Sequence, residues 1–253
     1  MKTVKEKLEN LPSINYVSLM QNTYRAEVIE GTLKFAGIER IKRNQFDLFE
    51  NTIHCFEGPR IHETPNIHKG AISSHLTTIH KWLRETDEPY TLICEDDFSI
   101  ETVPYWNFDW NDMFDILPSD WECVQLVQIQ EVAFREIKLH ERGRFDWSVC
   151  CYLISRSYAE KLLQKRVKDG KFVIEFTDFI PGVEAVIYEG IGKVYSLPLF
   201  VENTNFGSSS KLTEDFNSTE HEMTAKIHRR SHLHVLGWWK NQGIHKTIDF
   251  FRL

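Results

Sequence analysis

Three adjacent carboxylates, Glu95, Asp96 and Asp97, directly follow the mostly apolar run from Tyr90 to Cys94. The run is too short for a helix, and apolar residues on both faces are typical of a buried strand. Open α/β sheets bind ligands at the carboxyl ends of their strands. Adjacent acids repel one another, so they favour either a solvated edge or a bound cation. Because Mg²⁺ takes carboxylate oxygens alongside substrate phosphates, the pattern predicts a metal–diphosphate site, with a solvated acidic turn as the alternative.

The charge pattern around the carboxylates strengthens the prediction. From Glu85 to Glu122 there are twelve Asp or Glu and no Lys or Arg, so a cation or a basic segment must neutralise them from elsewhere. The segment from His221 to Leu253 carries six Lys or Arg against two acids, a net +4, which leaves −11 for the rest of a chain of net charge −7. Two interpretations stay open. This segment is a lid over the acidic site, or it packs permanently as a helix with Trp238 and Trp239 in the core.

Length and composition restrict the class of protein. The chain of 253 residues fits one catalytic domain over 1–205, followed by a C-terminal segment over 206–253 that contains the basic stretch from His221 to Leu253. The negative net charge argues against nucleic-acid binding. No apolar run approaches the roughly 20 residues that span a bilayer, and the first ten residues have no apolar core of a secretory signal. Five cysteines without a C-x-x-C pair predict free thiols in a reducing compartment, so we expect a cytoplasmic protein.

Hydrophobic patterning predicts strands and helices in alternation, as in an α/β fold with a central, mostly parallel sheet flanked by helices. The predicted strands lie within 14–19, 38–49, 90–94, 122–128, 147–154 and 194–201. The predicted helices lie at about 22–36, with Asn22 or Thr23 as its cap, at 70–85 after a loop over 51–69, within 103–121, and after the capping-box match Ser157-x-x-Glu160. His75 falls on the apolar face of the second helix, a position typical of a core histidine.

Several stretches, in this order, resemble glycosyltransferase family 25, the lipopolysaccharide and collagen glucosyl- and galactosyltransferase type. They are Ile14 to Leu19 with Arg25, Gly70-Ala-Ile-Ser-Ser74-His75-Leu, Leu92-Ile-Cys-Glu95-Asp96-Asp97, and Tyr152-Leu-Ile-Ser-Arg156 with Ala159-x-x-Leu162-Leu163. The likeness covers about Ile14 to Val201. The chain departs from the family in having few arginines after the first strand, and the region beyond Asn203 has no counterpart.

The resemblance implies a GT-A type fold, a nucleotide-diphosphate sugar donor such as a UDP-sugar, Mn²⁺ or Mg²⁺, and transfer of a hexose to a glycan acceptor, as in lipopolysaccharide biosynthesis. Arg25, Ser74 and His75 would then contribute to the donor site. The family tends to carry an aspartate near Asp178, which makes Asp178 the first candidate for the base of an inverting displacement. Glu184 is the second candidate.

The chemistry of sugar transfer assigns the carboxylates a role without the resemblance. Charge develops on the leaving phosphate oxygen, and a cation held by Asp97, with Glu95 as a second ligand, would stabilise that charge. The acceptor hydroxyl is a poor nucleophile, so a carboxylate near it would remove its proton.

A further match lies in the basic segment. His234-Val-Leu-Gly237-Trp-Trp-Lys240 has the form H-x-x-G-x-x-K, which is similar to a tail motif of family 8 glycosyltransferases. In that family, which is retaining, the histidine ligates the metal and the lysine meets the diphosphate. The match implies His234 as a metal ligand and Lys240 as a diphosphate ligand. The alternatives to a glycosyltransferase are a non-catalytic glycan-binding or assembly protein and a metal-dependent phosphoesterase.

Overall fold

The computed structural model describes residues 2–47, 55–130, 136–176, 182–206 and 218–253, the last of these with side chains from residue 222. Its helices are α1 (Val4–Lys7), α2 (Thr23–Phe35), α3 (Asn66–Glu85), α4 (Trp110–Asp115), α5 (Arg156–Arg166), α6 (Val183–Tyr188) and α7 (Ser218–Asn241). Its strands are β1 (Ile14–Leu19), β2 (Ile41–Phe46), β3 (Phe56–Glu57), β4 (Tyr90–Glu95), β5 (Phe98–Ser99), β6 (Cys123–Gln125), β7 (His140–Glu141), β8 (Cys151–Ser155), β9 (Val167–Lys168), β10 (Lys171–Val173), β11 (Val194–Ser196) and β12 (Val201–Glu202).

A seven-stranded mixed sheet with the order β2-β1-β4-β8-β6-β11-β7 forms the centre of the protein. Strands β2, β1 and β4 are parallel neighbours, as are β6 and β11, whereas β8 runs antiparallel between β4 and β6. Strand β7 is antiparallel to β11 at the edge. Five of the seven strands therefore run in one direction, which confirms the predicted α/β class with a mostly parallel sheet.

Apolar side chains cover both faces of this sheet. In β4, Leu92 and Cys94 join one core cluster and Ile93 joins the other, because successive side chains of a strand point to opposite faces. Helices α2, α4 and α7 contribute to the first cluster, and α3, α5 and α6 contribute to the second. The apolar run that precedes the carboxylates is therefore buried on both sides, as its composition predicts.

The predicted starts of two helices, α3 and α5, are wrong. Helix α3 begins at Asn66, before the predicted start at residue 70, and Pro65 lies at its N-cap with a non-helical ψ of 145°. The helix after β8 is capped by Ser155, whose hydroxyl accepts from the Tyr158 N–H at 3.2 Å, and not by Ser157. The hydroxyl of Ser157 instead donates to Glu122 Oε1 at 3.0 Å.

Three predicted strands are shorter than their patterns. The strand predicted over 122–128 is reduced to β6, Cys123–Gln125. The strand predicted over 147–154 begins only at Cys151, because Ser148 has φ 101° and interrupts the extended chain. The strand predicted over 194–201 divides into β11 and β12, with Pro198 between them. Proline has no N–H to donate to a sheet.

The basic C-terminal segment contains a helix that packs on the sheet domain. Trp239 of α7 is fully buried, and its indole N–H donates to the Pro198 carbonyl at 3.1 Å. Trp238 is 5% exposed and lies in the same core cluster as Val235. This arrangement is the one expected of the packed-helix interpretation. Of the helices in the described ranges, none combines the length and the hydropathy that a bilayer crossing requires.

Candidate metal and donor site

The carboxylates lie at the carboxyl end of the interior strand β4, as predicted: Glu95 is its last residue, and Asp96 and Asp97 follow it. Three potential ligand atoms lie within 4.8 Å of one another here, one each from Glu95, Asp97 and Cys150. The chain is fixed here by the short ribbon of β5 and β12, beyond which the Asn203 N–H donates to the Asp97 carbonyl at 2.6 Å. The structure thus brings together two of the three predicted metal ligands and adds a buried thiol.

Asp96 points away from this group and is fully paired. Its Oδ1 accepts from Arg25 Nη1 at 3.0 Å, and its Oδ2 accepts from Ser18 Oγ at 2.8 Å and Asn22 Nδ2 at 3.0 Å. The Asp96 side chain is 7% exposed. Asn22, predicted as the cap of α2, therefore donates its side-chain amide to Asp96, and makes no side-chain capping bond. Arg25, predicted to bind the donor, holds the middle carboxylate of the triplet.

Asp97 lies among other acids. Burial raises the pKa of Asp97 well above its ordinary value, and the charge of Glu202 is the next largest cause. Glu95 and Asp96 act in the same direction, and Arg25 partly offsets them from 3.9 Å. A carboxylate in this setting is neutralised by a proton or by a cation, so a cation that binds at Asp97 would take the place of the proton.

A strained turn places the thiol of Cys150 against Asp97. The Cys150 Sγ lies 3.4 Å from Asp97 Oδ1, and the Cys150 N–H donates to Ser148 Oγ at 3.0 Å. Ser148, with φ 101°, is held from several sides. Its N–H donates to Glu184 Oε1 at 3.1 Å, and its hydroxyl donates to Glu202 Oε1 at 3.1 Å. Such strain persists only where the surroundings fix it, and it concentrates at functional sites.

His75 connects the glycine–serine–histidine helix to the carboxylates. Its Nδ1 lies 3.0 Å from the Tyr152 hydroxyl, and its Nε2 lies 3.4 Å from Glu95 Oε1. The ring is fully buried and stacks on Tyr152, which confirms a core position. The neighbouring Ser74 donates its hydroxyl to the Gly70 carbonyl at 2.7 Å, within its own helix.

Helix α7 approaches the acids with different residues from those predicted. His228 Nδ1 lies 2.8 Å from Glu202 Oε2, and His232 Nδ1 lies 2.6 Å from the Glu202 carbonyl. Burial lowers the pKa of His228, but the hydrogen bond and the charge of Glu202 outweigh it and leave that pKa raised. The helix is therefore tied to the site through Glu202.

The motif-based assignments in α7 are not supported by the geometry. His234 is absent from the group of potential ligands in the described part of the chain, and its Nδ1 is buried without a partner there. Lys240 lies over the Tyr105 ring, with its Nζ 5.5 Å from the ring centroid. His228 and His234 are six residues apart in α7. At about 100° per residue, their side chains lie on different faces of the helix, so His234 does not face the acids that His228 contacts.

Of the two candidate bases, Glu184 lies in the described part of the chain and Asp178 does not. Glu184 lies in the first turn of α6 and accepts from the Ser148 N–H, so it supports the turn before Cys150. Asp178 lies outside the described residues and stays a prediction.

Sequence reasoning missed Cys150, Glu202 and His228. Glu202 could have been predicted as a site residue, because it directly follows a predicted strand, as Glu95 does. Cys150 lies in an apolar run that indicates core alone, and His228 is one of five histidines in the basic segment. Their proximity to Asp97 depends on tertiary structure.

No protein-family model matches the chain, and no curated protein matches it. Solved structures that match include A197 from STIV, which is 11% identical, with a TM-score of 0.44 over 75% of this chain and 83% of that chain. A likeness of this extent says nothing about the activity of this chain.

Proposed function

We propose that the chain is a metal-dependent glycosyltransferase that moves a hexose from a nucleotide-diphosphate sugar to a hydroxyl of a glycan acceptor. The observation that carries this proposal is the group formed by Glu95, Asp97 and Cys150 at the end of β4. It is the kind of site, at a strand end of an α/β sheet, where a cation and a diphosphate bind together.

The arrangement of the stretches that resemble family 25 supports the proposal. Strand β1 pairs with β4, and β4 pairs with β8, so three of these stretches are neighbours in the sheet. Arg25 holds Asp96, and His75 joins Tyr152 to Glu95. Stretches far apart in sequence therefore meet at the carboxylates, as they would if they served one site.

Glu95 and Asp97 fit a divalent cation of the kind that the resemblance implies, because both offer carboxylate oxygens and Asp97 lies among negative charges. When bound, the cation would stabilise the charge that develops on the leaving diphosphate. Arg25 contributes by holding Asp96 away from the group, so that two carboxylates remain directed at one point. His75 restrains Glu95 from the face of the sheet opposite α2, the helix that carries Arg25.

The base that accepts the acceptor proton is proposed to be Asp178, with Glu184 as the second candidate. Glu184 already accepts the Ser148 N–H, so its loss is expected to disturb the turn as well as the reaction. Replacement of the base costs roughly 10²–10⁴ in rate. Turnover of Asp178→Asn and Glu184→Gln, compared at equal melting temperature, decides between them. Normal turnover in Asp178→Asn beside an inactive, folded Glu184→Gln would transfer the role to Glu184.

The proposal is tested by screening nucleotide-diphosphate sugars by thermal shift, with and without Mn²⁺, and then measuring donor hydrolysis and transfer to glycan hydroxyls. We expect stabilisation by one nucleotide class that needs the cation, followed by metal-dependent release of the nucleoside diphosphate. Binding of a glycan without any donor binding or turnover would favour the non-catalytic glycan-binding alternative. Hydrolysis of simple phosphate esters without sugar transfer would favour a phosphoesterase.

A further inference from the structure

The third member of the candidate metal group is a thiol, and its position is difficult to explain by packing alone. Cys150 is fully buried, and its thiol donates a hydrogen bond to Asp97 Oδ1, with the Sγ 3.4 Å from that oxygen. Within the described ranges, this Sγ makes no hydrogen bond outside the group. The thiol therefore points into the place where a cation would lie between Glu95 and Asp97.

The ligand chemistry of a thiol does not fit Mg²⁺. Hard cations take oxygen ligands, whereas thiolates select softer ions, of which Zn²⁺ is the commonest in proteins. With Zn–S of about 2.3 Å and Zn–O of about 2.1 Å in a tetrahedral site, the sulfur and oxygen ligands lie about 3.6 Å apart. The observed 3.4 Å between Cys150 Sγ and Asp97 Oδ1 is close to this value.

We propose that this site takes a thiophilic divalent cation of the Zn²⁺ type, with the Cys150 thiolate as a ligand beside Asp97 and Glu95. The inference rests on the metal site of the proposed function and narrows the class of its cation. Binding breaks the S–H bond of Cys150, forms a metal–sulfur bond and releases the proton to solvent. No oxidant or reductant is needed, because neither sulfur nor Zn²⁺ changes its oxidation state.

The chain offers a matched control in the next residue. Cys151 is equally buried, but its Sγ lies 3.3 Å from the Cys94 Sγ in the neighbouring strand, and it is not part of the metal group. Cys150→Ala and Cys151→Ala therefore remove the same atoms from adjacent buried positions. If only the thiol directed at Asp97 binds the cation, the two variants differ in metal binding alone.

The experiment uses the full-length, metal-free protein in a phosphine reductant and titrates it with Co²⁺ and Cd²⁺. A thiolate ligand gives each ion a sulfur-to-metal charge-transfer absorption that carboxylates alone do not produce. We expect this absorption in the wild type and in Cys151→Ala, and its loss in Cys150→Ala. Loss of a residue that merely orients a ligand costs roughly 10–100-fold in metal affinity, so Zn²⁺ affinity should fall at least about tenfold in Cys150→Ala.

Two further measurements keep the test decisive. Cys150→Ser retains the size of the side chain, and its circular dichroism spectrum and melting temperature verify its fold. The charge-transfer absorption of the wild-type protein tests thiolate ligation directly, so the test is valid even if a variant fails to fold. A wild-type protein that binds Mn²⁺ or Mg²⁺ but gives no charge-transfer band with Co²⁺ or Cd²⁺ would overturn the inference and leave the proposed function intact. A Cys150-dependent band with no donor binding or turnover would support the inference and count against the proposed function.

Discussion

The two sides of the acidic triplet are built in opposite ways. On the side of α2, Asp96 is nearly inaccessible and has an arginine, a hydroxyl and an amide as partners. On the side of α7, Asp97 is 23% exposed, and its nearest charges, apart from Arg25 at 3.9 Å, are negative. The two residues are adjacent in sequence and identical in chemistry. Their difference shows that environment, and not residue type, separates a structural carboxylate from a candidate ligand.

This contrast also explains how the fold tolerates three adjacent acids. Arg25 neutralises one of them internally, so the charge that remains is concentrated on Glu95, Asp97 and Glu202. Repulsion among these groups destabilises the metal-free protein and favours any cation that binds between them. A cation bound between these carboxylates would therefore offset the electrostatic cost of bringing them together in the folded protein. The contrast between Asp96 and Asp97 can be tested by four measurements, in order of decreasing expected effect.

The largest effect is expected for Asp97→Asn. If Asp97 is a ligand, the amide removes one negative charge from the cation site, and the loss of several kcal/mol of Lewis-acid stabilisation corresponds to about 10³-fold in turnover. Turnover and cation affinity, measured by calorimetry, check this expectation. Asp115→Asn, the same change at an exposed position of the acidic segment, is the control and should behave as wild type. An Asp97→Asn variant with wild-type activity at low Mn²⁺ would refute the metal role.

The next effect is on the free energy of unfolding, which should change in opposite directions in Asp96→Asn and Asp97→Asn. Asp96→Asn breaks the buried ion pair between Asp96 and Arg25, and removing one member of a buried pair typically costs about 3–5 kcal/mol in the free energy of unfolding. Asp97→Asn removes a repelled charge and should stabilise the metal-free protein. Urea denaturation in the presence of a chelator measures both. Equal signs for the two variants would mean that the two sides of the triplet do not differ as described.

The sequence predicted the parts of this region that depend on local pattern. The strand before the triplet is encoded by Leu92 to Cys94, and the core position of His75 follows from its helical spacing. The separate roles of Asp96 and Asp97 could not be predicted, because Arg25, Ser18 and Glu202 reach them only through sheet order and the β5–β12 ribbon. The positive φ of Ser148, which delays the start of the predicted strand to Cys151, also depends on partners distant in sequence.

The pH dependence of stability gives a smaller and independent measure of the same asymmetry. The pKa of Asp97 is raised in the folded protein above the ordinary value of 3.8, so folding favours its protonated form. The metal-free protein should therefore lose stability as pH rises from about 3.8 through the raised pKa of Asp97. Groups with lowered pKa values, such as Asp146, act in the opposite direction. The informative quantity is thus the difference between wild type and Asp97→Asn, which should grow with pH and shrink when a cation is added. A difference that does not change with pH would contradict the raised pKa.

The smallest effect is expected at His75, which supports the site from the side of the sheet opposite α2. His75→Gln loses the stacked ring and at least one of the contacts to Tyr152 and Glu95, and we expect a loss of about 1–2 kcal/mol in the free energy of unfolding. Because the ring packs beside the site and is not placed among the metal ligands, stability should fall at least as clearly as turnover. Tyr152→Phe removes only the hydroxyl, and the double variant should show coupling of at least about 0.5 kcal/mol, since contacting residues are not additive. A His75→Gln protein with unchanged melting temperature and a large drop in turnover would instead place the imidazole in direct contact with the reacting groups.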